Sequence, residues 1–156
     1  MTTDHHPSGG GRLRRLLVCF DGSEEAQQAI ELALDLGRHL GAELTVFSVL
    51  PDLSHLETTE ARAAAERAAM ERLISELAPA KLRAAANNVK LYEVVINGGD
   101  PADQIAAHAD EHGFDLVVVG SHGQERLTHG GLGRVVERLV RDPHCPVLIV
   151  PNRARA

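Results

Sequence analysis

At 156 residues, 44% of them hydrophobic and 24% charged, the chain has the length of one ordinary domain and can bury a core without disulfide or metal staples. The formal net charge of -6, with Arg residues interleaved among acids and no single basic stripe, argues against nucleic acid as a partner. No apolar run approaches the roughly 18 residues needed to cross a bilayer, and the polar start MTTDHHPSGGGRLRR lacks the apolar core of a secretory signal, so a soluble cytoplasmic protein with no membrane partner is expected.

Residues 1–13 mix His, Gly, Ser and Arg with little apolar content and read as a flexible tail ahead of a folded domain over 14–152. Leu16-Leu17-Val18-Cys19-Phe20 is a continuous apolar run, the pattern of a strand covered on both faces, and Asp21-Gly22-Ser23 ends it. Ser23 is placed to cap a helix whose first turn carries Glu24 and Glu25. Ala26, Ala29, Ile30, Ala33 and Leu40 recur on its inner face, and Gly41 closes it. A second strand follows at Leu44 to Val49.

From Glu57 to Ala86 the composition predicts a long helix, broken or kinked at Pro79, with Met70, Leu73, Ile74 and Leu77 as its apolar stripe. Val89 to Ile96 alternates as a third strand. The turn Asn97-Gly98-Gly99 leads to Asp100-Pro101, a cap followed by proline in the first helical position. Ile105, Ala106 and Ala109 face inward on this third helix, which stops at Gly113. Asp115 to Val119 is the fourth strand, and it runs into Gly120-Ser121-His122-Gly123. Val135, Val136, Leu139 and Val140 define a fourth helix, ended by Pro143 before a fifth strand at Val147 to Val150. Strictly alternating strands and helices imply a parallel α/β sheet with helices on both faces. Cys19 and Cys145, without C-x-x-C spacing, are expected to be unpaired and reduced.

In open sheets of this kind ligands sit outside the carboxyl ends of the strands, and most of those ends here carry glycine. Gly120, Gly123 and Gly133 form G-x2-G-x9-G, with Gly130 and Gly131 inside it. Such a loop exposes backbone N–H groups beside a helix N-terminus, which suits a phosphate chain, or it is simply a flexible connection. A P-loop is ruled out, because Lys81 and Lys90 are the only lysines and neither lies near a glycine loop. A dinucleotide fingerprint fails too, with Val136 where its third glycine belongs. A phosphorylated receiver domain would need an aspartate ending the third strand and a lysine after the fifth, where Asn97 and Pro151 stand. His108 and His112, four apart on a helix, have a spacing that can bind metal but read as surface residues. His122 and His129 lie in or beside the glycine loop, within reach of a phosphate or simply solvated.

Taken together, Val18-Cys19-Phe20-Asp21-Gly22-Ser23, Gly99-Asp100-Pro101-Ala102, the G-x2-G-x9-G loop and Cys145-Pro146-Val147-Leu148-Ile149-Val150 resemble the ATP-binding branch of the universal stress protein family, over residues 14 to 151. That resemblance implies a doubly wound, Rossmann-like five-stranded sheet in the order 3-2-1-4-5 and a regulatory or sensing dimer that binds ATP or ADP, with or without Mg, and hydrolyses it slowly at most. It implies a nucleotide site of Phe20, Asp21, Val49, Gly120, Ser121, Gly123, Gly133, Arg134, Val135 and Val136, with no catalytic residue. Asp21 would bond the adenine-ribose side and Val49 would line the adenine slot. Arg134 departs from the pattern, since the family's nucleotide binders have Ser or Thr there. The implied strand order leaves Val147, Leu148, Ile149 and Val150 on an apolar edge, which a two-fold partner would cover. The alternative is a nucleotide-free dimer of the same family that acts through protein partners.

Overall fold

The computed structural model describes residues 12–122, 133–141 and 145–152. In chain order these form β1 (Arg15–Cys19), α1 (Glu24–Leu40), β2 (Glu43–Leu50), α2 (Thr59–Ala86), β3 (Leu91–Asn97), α3 (Pro101–Glu111), β4 (Leu116–Gly120), α4 (Arg134–Arg141) and β5 (Val147–Val150). All neighbouring strands pair in parallel, in the order β3-β2-β1-β4-β5. This is the doubly wound order expected.

The unbroken apolar runs stand at the centre because both of their faces are covered. Successive side chains of a strand point to opposite faces. Accordingly Leu16 and Val18 of β1 pack with α1 and α2, while Leu17 and Cys19 pack with α3 and α4. The same split divides Leu116 and Val118 of β4 from Val117 and Val119. Phe20 lies just past β1, yet its N–H donates to the Phe47 carbonyl at 2.9 Å and prolongs the ladder.

Local signals set the helix ends. Ser23 Oγ accepts the Ala26 N–H at 3.1 Å to cap α1, and Gly41 closes that helix with φ 64°. This left-handed conformation costs glycine nothing. Asp100 caps α3, with Pro101 in the first turn.

Three expectations are corrected by packing. The helix α2 is not broken at Pro79 but runs through it. Its buried residues Leu73, Leu77, Ala80 and Ala84 lie on both sides of the proline along one helical stripe, so a break would strip one half of its burial. Ile74 lies off that stripe and is 56% exposed. Val140 of α4 is likewise exposed, with Val136 and Leu139 forming the buried contact. Residues 1–11, 123–132, 142–144 and 153–156 lie outside the description, so the tail over 1–13 and the roles of Gly123, His129, Gly130, Gly131 and Pro143 are not addressed by it, save that β1 starts at Arg15.

Candidate functional site at the strand carboxyl ends

The chain leaves β1 toward β2 on one side and returns from β3 to β4 on the other, so the order reverses between β1 and β4. Loops leaving such a point diverge and open a crevice. A cleft of about 350 Å³ lies there. Its buried lining is mostly apolar, from Cys19, Phe20, Phe47, Ile105 and Val119. Its rim is polar, with Asp21, Ser23, Asp100, His122 and Arg134. Three helices begin at this rim, because Ser23 and Asp100 cap α1 and α3 and Arg134 is the first residue of α4. Ser23 Oγ takes the Ala26 N–H and Asp100 Oδ1 takes those of Ala102 and Asp103, while each helix start turns the positive end of its dipole toward the opening.

Of the residues singled out from sequence, Phe20, Asp21, Val49, Gly120, Gly133, Arg134, Val135 and Val136 all line this cleft. Gly123 is outside the described residues. Ser121 is buried and does not line the cleft. Its N–H donates to the Val150 carbonyl at 2.9 Å, and its own carbonyl accepts the Gly133 N–H at 2.8 Å. Ser121 thereby ties β5 to the start of α4, and its Oγ lies 3.2 Å from His122 Nδ1.

Gly120 has a packing reason independent of any ligand. A Cβ there would sit 2.7 Å from Glu25 Cβ and 3.0 Å from the Glu25 carbonyl carbon. The backbone of α1 therefore rests directly on the end of β4. Asp21 Oδ1 accepts the Ser23 N–H at 2.9 Å, a turn that aims the chain into α1 and sets the carboxylate at the rim.

Arg134 reaches across the opening. Its Nη2 lies 2.9 Å from Asp100 Oδ2, while Asp100 Oδ1 accepts the N–H groups of Ala102 and Asp103. One turn further along, Arg138 pairs with Asp103 at 3.3 Å. Asp100 was legible as a helix cap and as part of the Gly99-Asp100-Pro101-Ala102 motif, without a site role. Nothing in the sequence matched it to a residue 34 positions away.

The thiol in the cleft is inert as a nucleophile. Burial, reinforced by the charge of Asp21, pushes Cys19 up to about 12, so it stays protonated at neutral pH. Cys145 is pushed up to about 11, first by burial and then by Asp115, and its Sγ donates to the Phe114 carbonyl at 3.2 Å. Both cysteines are unpaired, as expected. His108 is not the plain surface residue it looked like. Its ring lies 4.8 Å from that of Phe47, behind the cleft, and 5.6 Å from that of Phe114. Among the described residues no three His, Cys, Asp or Glu side chains converge as a metal site would require.

These features define a Rossmann-like α/β protein with a cleft at its topological switch point. The chain belongs to the universal stress protein family, whose model matches residues 12–151. It is 30% identical over 152 residues to the universal stress protein MJ0531 of Methanocaldococcus jannaschii, across 92% of this chain and 85% of that protein. With the universal stress protein YxiE of Bacillus subtilis it shares 32% over 148 residues, across 87% of this chain and 97% of that one. A solved structure of a universal stress protein in complex with cAMP aligns with a TM-score of 0.67 at 25% identity, covering 90% of this chain and 98% of the other. No helix among the described residues is long and apolar enough to cross a membrane.

Proposed function

We propose that this chain is an adenine-nucleotide-binding universal stress protein, a regulatory or sensing dimer of the cytoplasm whose ligand is ATP or ADP. The observation that carries this reading is the cleft itself, a mostly apolar, buried interior under a rim where three helices begin. An adenine ring suits the interior formed by Phe20, Phe47, Val49 and Ile105, and phosphates suit the helix starts. The cAMP complex of a family member supports an adenylate as the ligand class. Any Mg would arrive on the phosphates, in keeping with the way Mg is held by substrate oxygens in such sites. Among the described residues the cation at the rim, Arg134, is already shared with Asp100, which supports hydrolysis that is slow at most.

The dimer rests on the edges of the sheet. β3 guards its edge with charge and exposure, since Glu93 pairs with Lys81 and Tyr92 is exposed. β5 offers only Val147, Leu148, Ile149 and Val150, the first three half-buried. An uncharged edge of that kind is a template for a second copy. Light scattering should give twice the chain mass of 16.8 kDa, and a monomer would overturn this part.

The nucleotide reading is tested by denaturing freshly purified protein, identifying any released nucleotide, and titrating the emptied protein with adenylates. Adenine nucleotide in the supernatant, or a saturable heat of binding, is the expected result; neither appearing would overturn it. Asp21→Ala should weaken binding by a factor of roughly 2 to 13, the worth of one lost hydrogen bond. A second reading, the nucleotide-free dimer that acts through protein partners, draws support from the Asp100–Arg134 pair, in which the rim satisfies its own charges. Empty protein that binds no adenylate would favour it.

A further inference from the structure

The rim of the cleft carries an anion of its own. Asp100 Oδ1 sits on the N–H groups of Ala102 and Asp103 at 3.0 and 3.2 Å, where the start of α3 would otherwise receive an external anion. Its second oxygen, Oδ2, holds Arg134 at 2.9 Å at the start of α4. One carboxylate thus occupies both the N-terminus of α3 and the cation at the start of α4.

We propose that the Asp100–Arg134 pair is the selectivity element of the cleft, setting it against nucleotides with long phosphate chains and in favour of monophosphates. The inference rests on the adenine-nucleotide reading above and departs from it in the number of phosphates, putting a monophosphate where that reading has ATP or ADP. A cleft of about 350 Å³ is near the small end of the roughly 300–1,000 Å³ typical of ligand sites, so phosphates beyond the first fall at the rim. There a polyphosphate meets a carboxylate that repels it and an arginine already engaged. It must either draw Arg134 away from Asp100 or bind beside both. The pair can open without loosening the helices, because Ile105 and Ala109 of α3 share a buried apolar cluster with Val136 and Leu139 of α4. The Arg134 side chain is 76% exposed, so its bond to Asp100 is screened and can be exchanged for a phosphate.

Asp100→Asn separates charge from structure, since asparagine caps a helix as well as aspartate does. Calorimetric titrations with AMP and ATP are run on the parent, on Asp100→Asn and on Arg134→Gln, after circular dichroism has verified folding. The parent should prefer AMP. Asp100→Asn should tighten ATP by about three- to tenfold, leave AMP within about twofold, and lose this gain as salt is raised. Arg134→Gln, which bares Asp100, should loosen ATP more than AMP. An unchanged ATP affinity in Asp100→Asn, or equal shifts for both nucleotides, would overturn the proposal. If Asp100→Asn does not fold, Asp100→Ser, which also caps a helix, takes its place: tighter ATP binding at unchanged AMP binding supports the proposal and equal shifts overturn it. Protein that binds neither nucleotide in any form would overturn the nucleotide reading itself, and this inference with it.

Discussion

The two faces of the sheet are packed from different materials. On the α1 and α2 face the buried contacts are nearly all aliphatic, with Ala29, Ile30 and Ala33 of α1 and Leu73, Leu77, Ala80 and Ala84 of α2 set against Leu16, Val18, Leu44 and Val46. The α3 and α4 face buries Phe47, Phe114 and both cysteines, with the half-buried ring of His108 stacked among them. Its helices are also shorter, ending in α4 at Arg134–Arg141. The longer face supplies stability, and the shorter one leaves room at its strand ends for a cleft that Ile105, Val119 and Val136 line. Separation of this kind lets a binding site vary without disturbing the main core.

The sharpest way to break this comparison is to truncate each face in turn. Leu77→Ala removes a side chain that is 2% exposed from the α1 and α2 core and does not line the cleft. It should cost about 2 to 5 kcal/mol in urea unfolding, through lost burial and the cavity left behind. Adenylate affinity of the remaining folded protein should not move. A large change in affinity with little loss of stability would show that the two faces are not separable.

Gly120→Ala tests the place where the faces meet. Its Cβ would press on Glu25 Cβ and the Glu25 backbone, which cannot swing away as a long side chain tip could. The expected cost is about 1 to 3 kcal/mol. A shift of α1 relative to β4 would also move Ser23 and Asp21 at the rim, so binding should weaken together with stability. If stability holds and only binding falls, Gly120 serves the ligand alone.

The smallest effect concerns His108. Burial first, then the charges of His112 and Arg15, hold it below the ordinary histidine range, against the opposing pull of Glu111. The unfolded chain therefore takes up a proton here more readily than the folded one. Stability is full above the unfolded value of about 6.5 and falls as pH drops below it. Lowering the pH from about 7.5 to about 5.5 should depress the melting temperature of the parent more than that of His108→Leu. Equal pH dependence in the two proteins would show that the ring is as well solvated folded as unfolded.

Much of this molecule is legible from short stretches of chain, because the forces involved are local. Ser23, Gly41 and Asp100 end their helices through groups a few residues away. The runs in β1, β4 and β5 announce strands because both faces of a buried strand must be apolar. The glycine and aspartate motifs pointed to the strand ends where the cleft lies, and to most of its lining. Local signals failed where long-range packing overrode them. Of the break or kink that proline predicted in α2, the break is absent, because burial on both sides of Pro79 holds the helix together. Ile74 and Val140 fit an apolar period yet face outward, because the neighbour that would cover them is set by how the helices dock. Gly120 read as an opening for a ligand, although its nearest demand is the backbone of α1. Arg134 read as a departure from the family's Ser or Thr, and its bond to Asp100, 34 residues earlier, had no sign in the sequence. A sequence reports what a residue can offer its chain neighbours and which faces must be buried. Which distant group takes up that offer depends on distances that exist only once the sheet has brought α3 and α4 side by side.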